Sequence, residues 1–181
     1  MAPSIALSLS RNRLQLSRPI APTWWVSALW LIAAVLVQAT LAHLFTFRNV
    51  VPSLVFVAVV WYAIRVDLWQ AAAYGLAAGA LEDMIATGTG AAFAISTMIG
   101  AVSAQVISRG FFADSFPLVA TITVAATFVR QLVFWVVWGF EGYPPGLATM
   151  HFHEAVIQSV MNAAAMMLVM IALRRFSDYY L

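Results

Sequence analysis

The sequence predicts an all-α integral membrane protein, a bundle of about six transmembrane helices, on three observations. Of 181 residues 64% are hydrophobic, 9% are charged and the mean hydropathy is +0.92. A soluble domain is about half apolar and a quarter charged. The apolar runs are long and lack alternation of period two, which argues against a closed barrel, the other structure able to cross a bilayer. A spanning helix takes about 20 residues, so the chain has room for about six and for no sizeable soluble domain.

The absence of Cys excludes disulfides, thiol catalysis and thiolate metal sites. A net charge of +2 is too small to point to nucleic acid. All 9 basic residues are Arg, so their placement is informative.

Residues 1–22 carry Arg11, Arg13 and Arg18 and no acid, and read as a flexible cytoplasmic tail before a transmembrane domain over residues 23–175. The apolar run that follows, about 22 residues, exceeds a signal h-region of about 7–15 and lacks an Ala-x-Ala site, so it reads as an uncleaved span. Span one covers residues 24–45, with Trp24 and Trp25 where an aromatic belt belongs. Its Gln38 and His43 read as hydrogen-bond partners for other helices. Arg48 and Asn49 make the turn. Span two covers residues 50–64, with Pro52 tolerated in the first turn. It is short, so Trp61 and Tyr62 must help cover the mismatch. Arg65-Val66-Asp67 turns into span three, residues 68–86. Gly88-Thr89-Gly90 is a tight turn into span four, residues 91–108, where Ser96, Gly100 and Ser103 give a small face. A loop over residues 109–114 leads to span five, residues 116–140. The longest internal loop, residues 141–153, carries Glu141, Pro144, Pro145, His151 and His153. Span six covers residues 155–173, and residues 176–181 form a short cytoplasmic tail.

With the N-terminus in the cytoplasm, Arg11, Arg13, Arg18, Arg65, Arg109, Arg174 and Arg175 all fall inside. Arg48 falls outside and Arg130 lies within a span. That asymmetry is what the positive-inside rule expects, and it places both termini in the cytoplasm.

Ala71, Gly75, Gly79 and Asp83 are four residues apart and form one helical stripe. Gly75-x-x-x-Gly79 lets another backbone approach closely. Asp83 should face protein, because a carboxylate near the bilayer centre costs roughly 2.5–3.5 kcal/mol on the insertion scale. Arg130 and Asp83 both lie about 21–23 Å from the cytoplasmic side at about 1.5 Å per residue. Opposite charges at equal depth lower each other's burial cost, so Arg130 is expected to pair with Asp83 or Glu82. The pair reads as a structural lock, since it lacks the chain of ionisable groups that a proton relay needs. Replacing Asp83 by Asn is expected to destabilise assembly.

His151-x-His153-Glu154 has metal-ligating residue types, but two His at i, i+2 cannot point the same way on a helix. The bland reading is a polar rim at the outer face, with no metal and no cofactor. Gly-x-Ser-x-Gly, His-Glu-x-x-His and P-loop signatures are absent. Glu82-Asp83 is similar to the paired acids of some intramembrane proteases. No Arg follows within a turn and no helical His partner is evident, so the chain reads as non-enzymatic.

Gln38 in span one, Pro52-Ser53-Leu54-Val55-Phe56 opening span two, and Gly75-x-x-x-Gly79-x-x-x-Asp83 running to Gly90 resemble the rod shape-determining protein MreD family. The similarity covers roughly residues 36–175, with Gly75, Gly79, Asp83 and Gly90 matching the pattern. The resemblance implies a non-enzymatic inner-membrane scaffold of bacterial cell-wall elongation. Its expected partners are the periplasmic shape protein MreC, the glycosyltransferase RodA with its penicillin-binding partner and, indirectly, the actin-like MreB. It also implies a fold similar to the membrane substrate-binding subunits of energy-coupling-factor vitamin transporters. Uptake of a small molecule is therefore the alternative function. That alternative needs a cavity with convergent polar groups near the outer face, for which Glu82, Asp83, Arg130, His43 and Glu141 are the candidates. The small stripes suit either internal packing or docking of a foreign helix.

Overall fold

Why a helix as short as ten residues forms at all explains the architecture. Leu54–Ala63 is apolar all round, and 7 of its residues are buried; such a helix is stable only inside other helices. The computed structural model describes residues 22–41, 44, 46–86, 89–109, 115–140, 142 and 148–177. Over these the chain forms six helices: α1 (Trp24–Leu41), α2 (Leu54–Ala63), α3 (Leu68–Ile85), α4 (Ala92–Ser108), α5 (Phe116–Phe140) and α6 (Ala148–Ser177). Helix α2 touches all the others, while α3, α4, α5 and α6 pack in sequence order around it and α1 rests mainly on α2. Two helices contain segments long and apolar enough to cross a bilayer, Phe116–Phe140 and Met150–Arg175.

The helices differ from the expected spans chiefly at the starts of α2 and α6. Helix α2 is about 15 Å long at 1.5 Å per residue, because the chain ahead of it is extended. Phe47 and Val50 exchange both backbone hydrogen bonds at 2.9 Å across a two-residue turn. Arg48 and Asn49 sit in that turn with φ of 50° and 65°, the left-handed geometry of a tight hairpin. Pro52 therefore precedes the N-cap Ser53 and is not in the first helical turn. Helix α6 begins at Ala148, not near residue 155, so His151, His153 and Glu154 lie on a helix and the preceding loop is shorter. The tail over residues 1–21, and with it Arg11, Arg13 and Arg18, lies outside the described residues, as do His43, Gly88, Glu141, Pro144, Pro145 and residues 178–181.

One end of the bundle collects four of the described cations, Arg65, Arg109, Arg174 and Arg175. Gln105 Nε2 donates to Val66 O at 3.4 Å, joining the end of α4 to the α2–α3 turn that holds Arg65. Arg174 lies over the Phe116 ring at 4.3 Å, joining the end of α6 to the start of α5. Arg109 caps the C-terminus of α4 at this same end.

The outside is apolar and the inside is partly polar. Trp24, Trp69, Met84 and Phe140 are 80–88% exposed, whereas Arg130, Thr97, Thr127 and Asn162 are 0–3% exposed. This inverts the usual arrangement of a soluble domain, which rarely exposes large contiguous apolar patches.

Gly75 and Gly79 bring α3 against α4. A Cβ on Gly79 would lie 2.3 Å from Phe93 O and 2.6 Å from Ala94 Cα; one on Gly75 would lie 2.9 Å from Thr97 O. These obstacles are backbone, so neither helix can yield by a rotamer change. Replacing Gly79 by Ala gains about 1 kcal/mol of helix propensity, but overpacking costs about 1–3 kcal/mol and backbone contact puts this site at the upper end. Gly79→Ala is expected to lower the thermal midpoint of the purified protein in detergent. Gly139→Ala, where a Cβ meets nothing within 4 Å, is expected to leave it unchanged or slightly raised.

Candidate functional site, a buried polar cluster at the start of α2

A helix that starts inside a bundle leaves its first N–H groups without partners and without water. The side chains that solve this come from the surrounding helices. Ser53, the N-cap, accepts from Phe56 N at 3.3 Å. Its own N–H donates to Asn162 Oδ1 on α6 at 2.8 Å. Val55 N donates to Gln38 Oε1 on α1 at 3.0 Å. Gln158 Nε2 on α6 donates to Val51 O at 3.0 Å and is itself steadied by Gln131 Nε2 of α5, which donates to Gln158 Oε1. Asn162 Nδ2 continues to Thr127 Oγ1 on α5 at 3.3 Å.

The ion pair is built onto this end. Arg130 Nη2 donates to Glu82 Oε2 at 2.7 Å, with the side chains 4% and 8% exposed. The guanidinium uses its other nitrogens on two more helices: Nε donates to Thr97 Oγ1 at 3.0 Å and Nη1 to Ser53 Oγ at 3.1 Å. Both hydroxyls pass a hydrogen bond on to the carboxylate, Thr97 to Glu82 Oε2 at 3.2 Å and Ser53 to Glu82 Oε1 at 3.3 Å. Arg130 Cζ also lies 4.9 Å from the Phe56 ring centroid and 5.3 Å from that of Phe93, within cation–π range. Gly100 makes room, since a Cβ there would sit 2.8 Å from Phe56 and 3.1 Å from Arg130 Cβ.

Of the two acids considered for Arg130, Glu82 makes the contact and Asp83 does something else. Asp83 Oδ2 accepts from Ala94 N at 2.8 Å; Oδ1 accepts from Phe93 N at 3.1 Å and from Thr89 Oγ1 at 3.0 Å. The N-cap of α4, Ala91, offers no side-chain acceptor. Asp83 therefore caps α4 from the preceding helix, with its charge at the positive end of the α4 dipole. Depth along the chain could not separate the two acids, because adjacent residues on a helix point about 100° apart. The stripe of Ala71, Gly75, Gly79 and Asp83 faces α4, and Gly90 turns the chain into α4 with φ of 57°.

The remaining candidates lie apart from this cluster. His151 Nδ1 is 3.1 Å from Glu154 Oε2, and its ring is 5.0 Å from that of Trp135; His153 is exposed. Among the described residues no group of three or more His, Cys, Asp and Glu could hold a metal ion. Residue reading missed Ser53 as the hub, together with Thr97, Thr127, Gln158 and Asn162. Asn162 was detectable, being an amide in the middle of an apolar span. Ser53 after Pro52 and ahead of an apolar run is a helix-start signal.

No family model, no curated protein and no solved structure matches this chain.

Two double-mutant cycles test the cluster. Removing one member of a buried pair costs about 3–5 kcal/mol, and replacing both with apolar residues recovers part of it. Arg130→Met and Glu82→Leu are each expected to lower unfolding stability sharply, with the double variant less damaged than the sum. Asp83→Ala, which orphans two backbone N–H groups, is expected to cost about 1–3 kcal/mol and to add to Arg130→Met within about 0.5 kcal/mol. Strong coupling of Asp83 to Arg130 in unfolding measurements would reverse the assignment.

Proposed function

We propose that this chain is a non-enzymatic scaffold of the bacterial inner membrane, an MreD-like component of cell-wall elongation that binds MreC. In this reading the six helices are six spans and both termini are cytoplasmic. The observation that carries it is that the charges within the bundle are engaged in holding helices together. Glu82 and Arg130 neutralise each other, and Asp83 caps α4. A protein whose interior charges are structural has its outside left for function, as a scaffold requires.

Three features support the membrane setting. Large apolar side chains cover the exterior while polar ones are buried. In the extended chain ahead of α2, Val51 O and Ser53 N are satisfied by side chains of α6, the condition under which non-helical backbone is tolerated at membrane depth. Arg65, Arg109, Arg174 and Arg175 gather at one end, as the cytoplasmic end of a bundle does. Helices α1, α3 and α4, of 17–18 residues, then suit a hydrocarbon layer of about 30 Å only with flanking polar or aromatic residues.

The uptake alternative has less support. Of its five polar candidates, Arg130 and Asp83 are engaged within the bundle, Glu82 keeps spare acceptor capacity only on Oε1, and His43 and Glu141 lie outside the described residues.

Two experiments test this reading, the first of its partners and the second of its topology. Affinity purification from native membranes is expected to recover MreC with RodA and its penicillin-binding partner; recovery of transporter ATPases and a coupling subunit instead would overturn the scaffold. Because the chain lacks Cys, single cysteines report topology cleanly. Met150→Cys is expected to react with an impermeant maleimide in intact cells, and Arg109→Cys only after permeabilisation.

A further inference from the structure

The polar cluster is closed toward α4, α5 and α6 but open on its α1 side. A cleft of about 270 Å³ lies between the ends of α1 and α3 and the start of α2, lined by Val35, Gln38, Val55, Glu82, Ile85 and Phe93 among others. Helices α1 and α3 are tied further down by Tyr74 Oη donating to Ser27 O at 2.7 Å. Few other contacts join them, and α1 packs mainly on α2. The volume is just under the roughly 300–1,000 Å³ of drug-sized pockets.

We propose that this cleft binds a small neutral molecule with an apolar body and one head that both donates and accepts a hydrogen bond, such as a carboxamide. Two groups on its wall have unused capacity of the matching kinds. Gln38 gives its Oε1 to Val55 N, which leaves both Nε2 hydrogens as donors. Glu82 Oε1 accepts only from Ser53 Oγ, whereas Oε2 carries both Arg130 and Thr97; a carboxylate oxygen accepts two bonds. Both groups line the same cleft, held two residues apart on the chain at Val55 and Ser53. Charge selects a neutral ligand. Glu82 disfavours an anion, and Arg130 already neutralises Glu82 and disfavours a second cation. The other walls are apolar, with Val35, Val51, Val55 and Ile85 to meet the body of the ligand.

Four probes of similar body test this with the full chain in lipid nanodiscs: benzamide, toluene, benzoate and benzylammonium, with affinities from saturation-transfer NMR titrations. Benzamide is expected to bind most tightly. Gln38→Leu is expected to weaken benzamide about 2- to 10-fold, the effect of one neutral hydrogen bond, and to leave toluene unchanged. Because Gln38 also holds Val55 N, a second variant avoids the network: Ala39→Phe, from an exposed position on the cleft wall, is expected to block all four probes. Absence of benzamide binding overturns the proposal. Equal affinity for toluene and benzamide, unaffected by Gln38→Leu, overturns it in favour of a slot for lipid acyl chains. Tighter binding of benzoate or benzylammonium overturns the neutral class. None of these outcomes bears on whether MreC co-purifies.

Discussion

The constraint from which the rest follows is that α2 begins inside the bundle. Four backbone groups there, Val51 O, Ser53 N, Val55 N and Phe56 N, find side-chain partners. An unsatisfied buried group costs roughly 1–3 kcal/mol. Leaving all four unmade would forfeit an amount comparable to the whole stability of a typical domain, about 5–15 kcal/mol. This explains why α1 sends one carboxamide and α6 two to the same place, and why α5 supports one of them through Gln131. The alternative, a longer helix, is prevented at Pro52, which disfavours helical geometry in the residue before it. A break in the helix thus fixes which polar residues the other helices must carry, and at what depth.

The choice of Arg at position 130 follows from the same place. A guanidinium is planar, keeps its charge and presents five N–H groups in a fixed fork. Here its three nitrogens reach three helices: Thr97 on α4, Ser53 at the head of α2 and Glu82 on α3. Lys has one nitrogen and cannot hold that geometry. The faces of the same plane are lined by Phe56 and Phe93. Desolvating this pair is expensive, and much of the return depends on the hydroxyls that complete each shell. The pair is therefore coupled to the helix start, since moving Ser53 disturbs the cap, the cation and the acid together.

Much of the helical layout was legible because apolar runs and their breaks carry it. Residues 116–140 coincide with α5, and Arg65-Val66-Asp67 marks a real turn. What was not legible has identifiable causes. The start of α6 was placed too late because His151, His153 and Glu154 are polar, and hydropathy finds the apolar part of a helix, not its polar extension. The turn at Arg48 and Asn49 was placed correctly, but its left-handed geometry was not legible, since Arg gives no signal for that conformation in the way that Asn-Gly does. Depth along the chain brought Glu82, Asp83 and Arg130 to one level but could not choose the rotation of α3. That rotation is set by Gly75 and Gly79, which turn the stripe ending in Asp83 toward α4 and leave Glu82 toward α2 and α5.

The same rotation resolves whether the small-residue stripes serve internal packing or a foreign helix. Gly75 and Gly79 are already in contact with the α4 backbone, Gly100 is filled by Phe56 and Arg130, and Ser96 is fully buried. None of these is available to a second protein. The surfaces that remain carry large side chains, among them Trp24, Trp25, Trp69, Leu76 and Met84. Helices in lipid gain nothing from apolar contact as such, because lipid tails are equally apolar; they gain from close fit and shared hydrogen bonds. A single-pass partner must therefore fit closely between the bulky side chains of these outer faces.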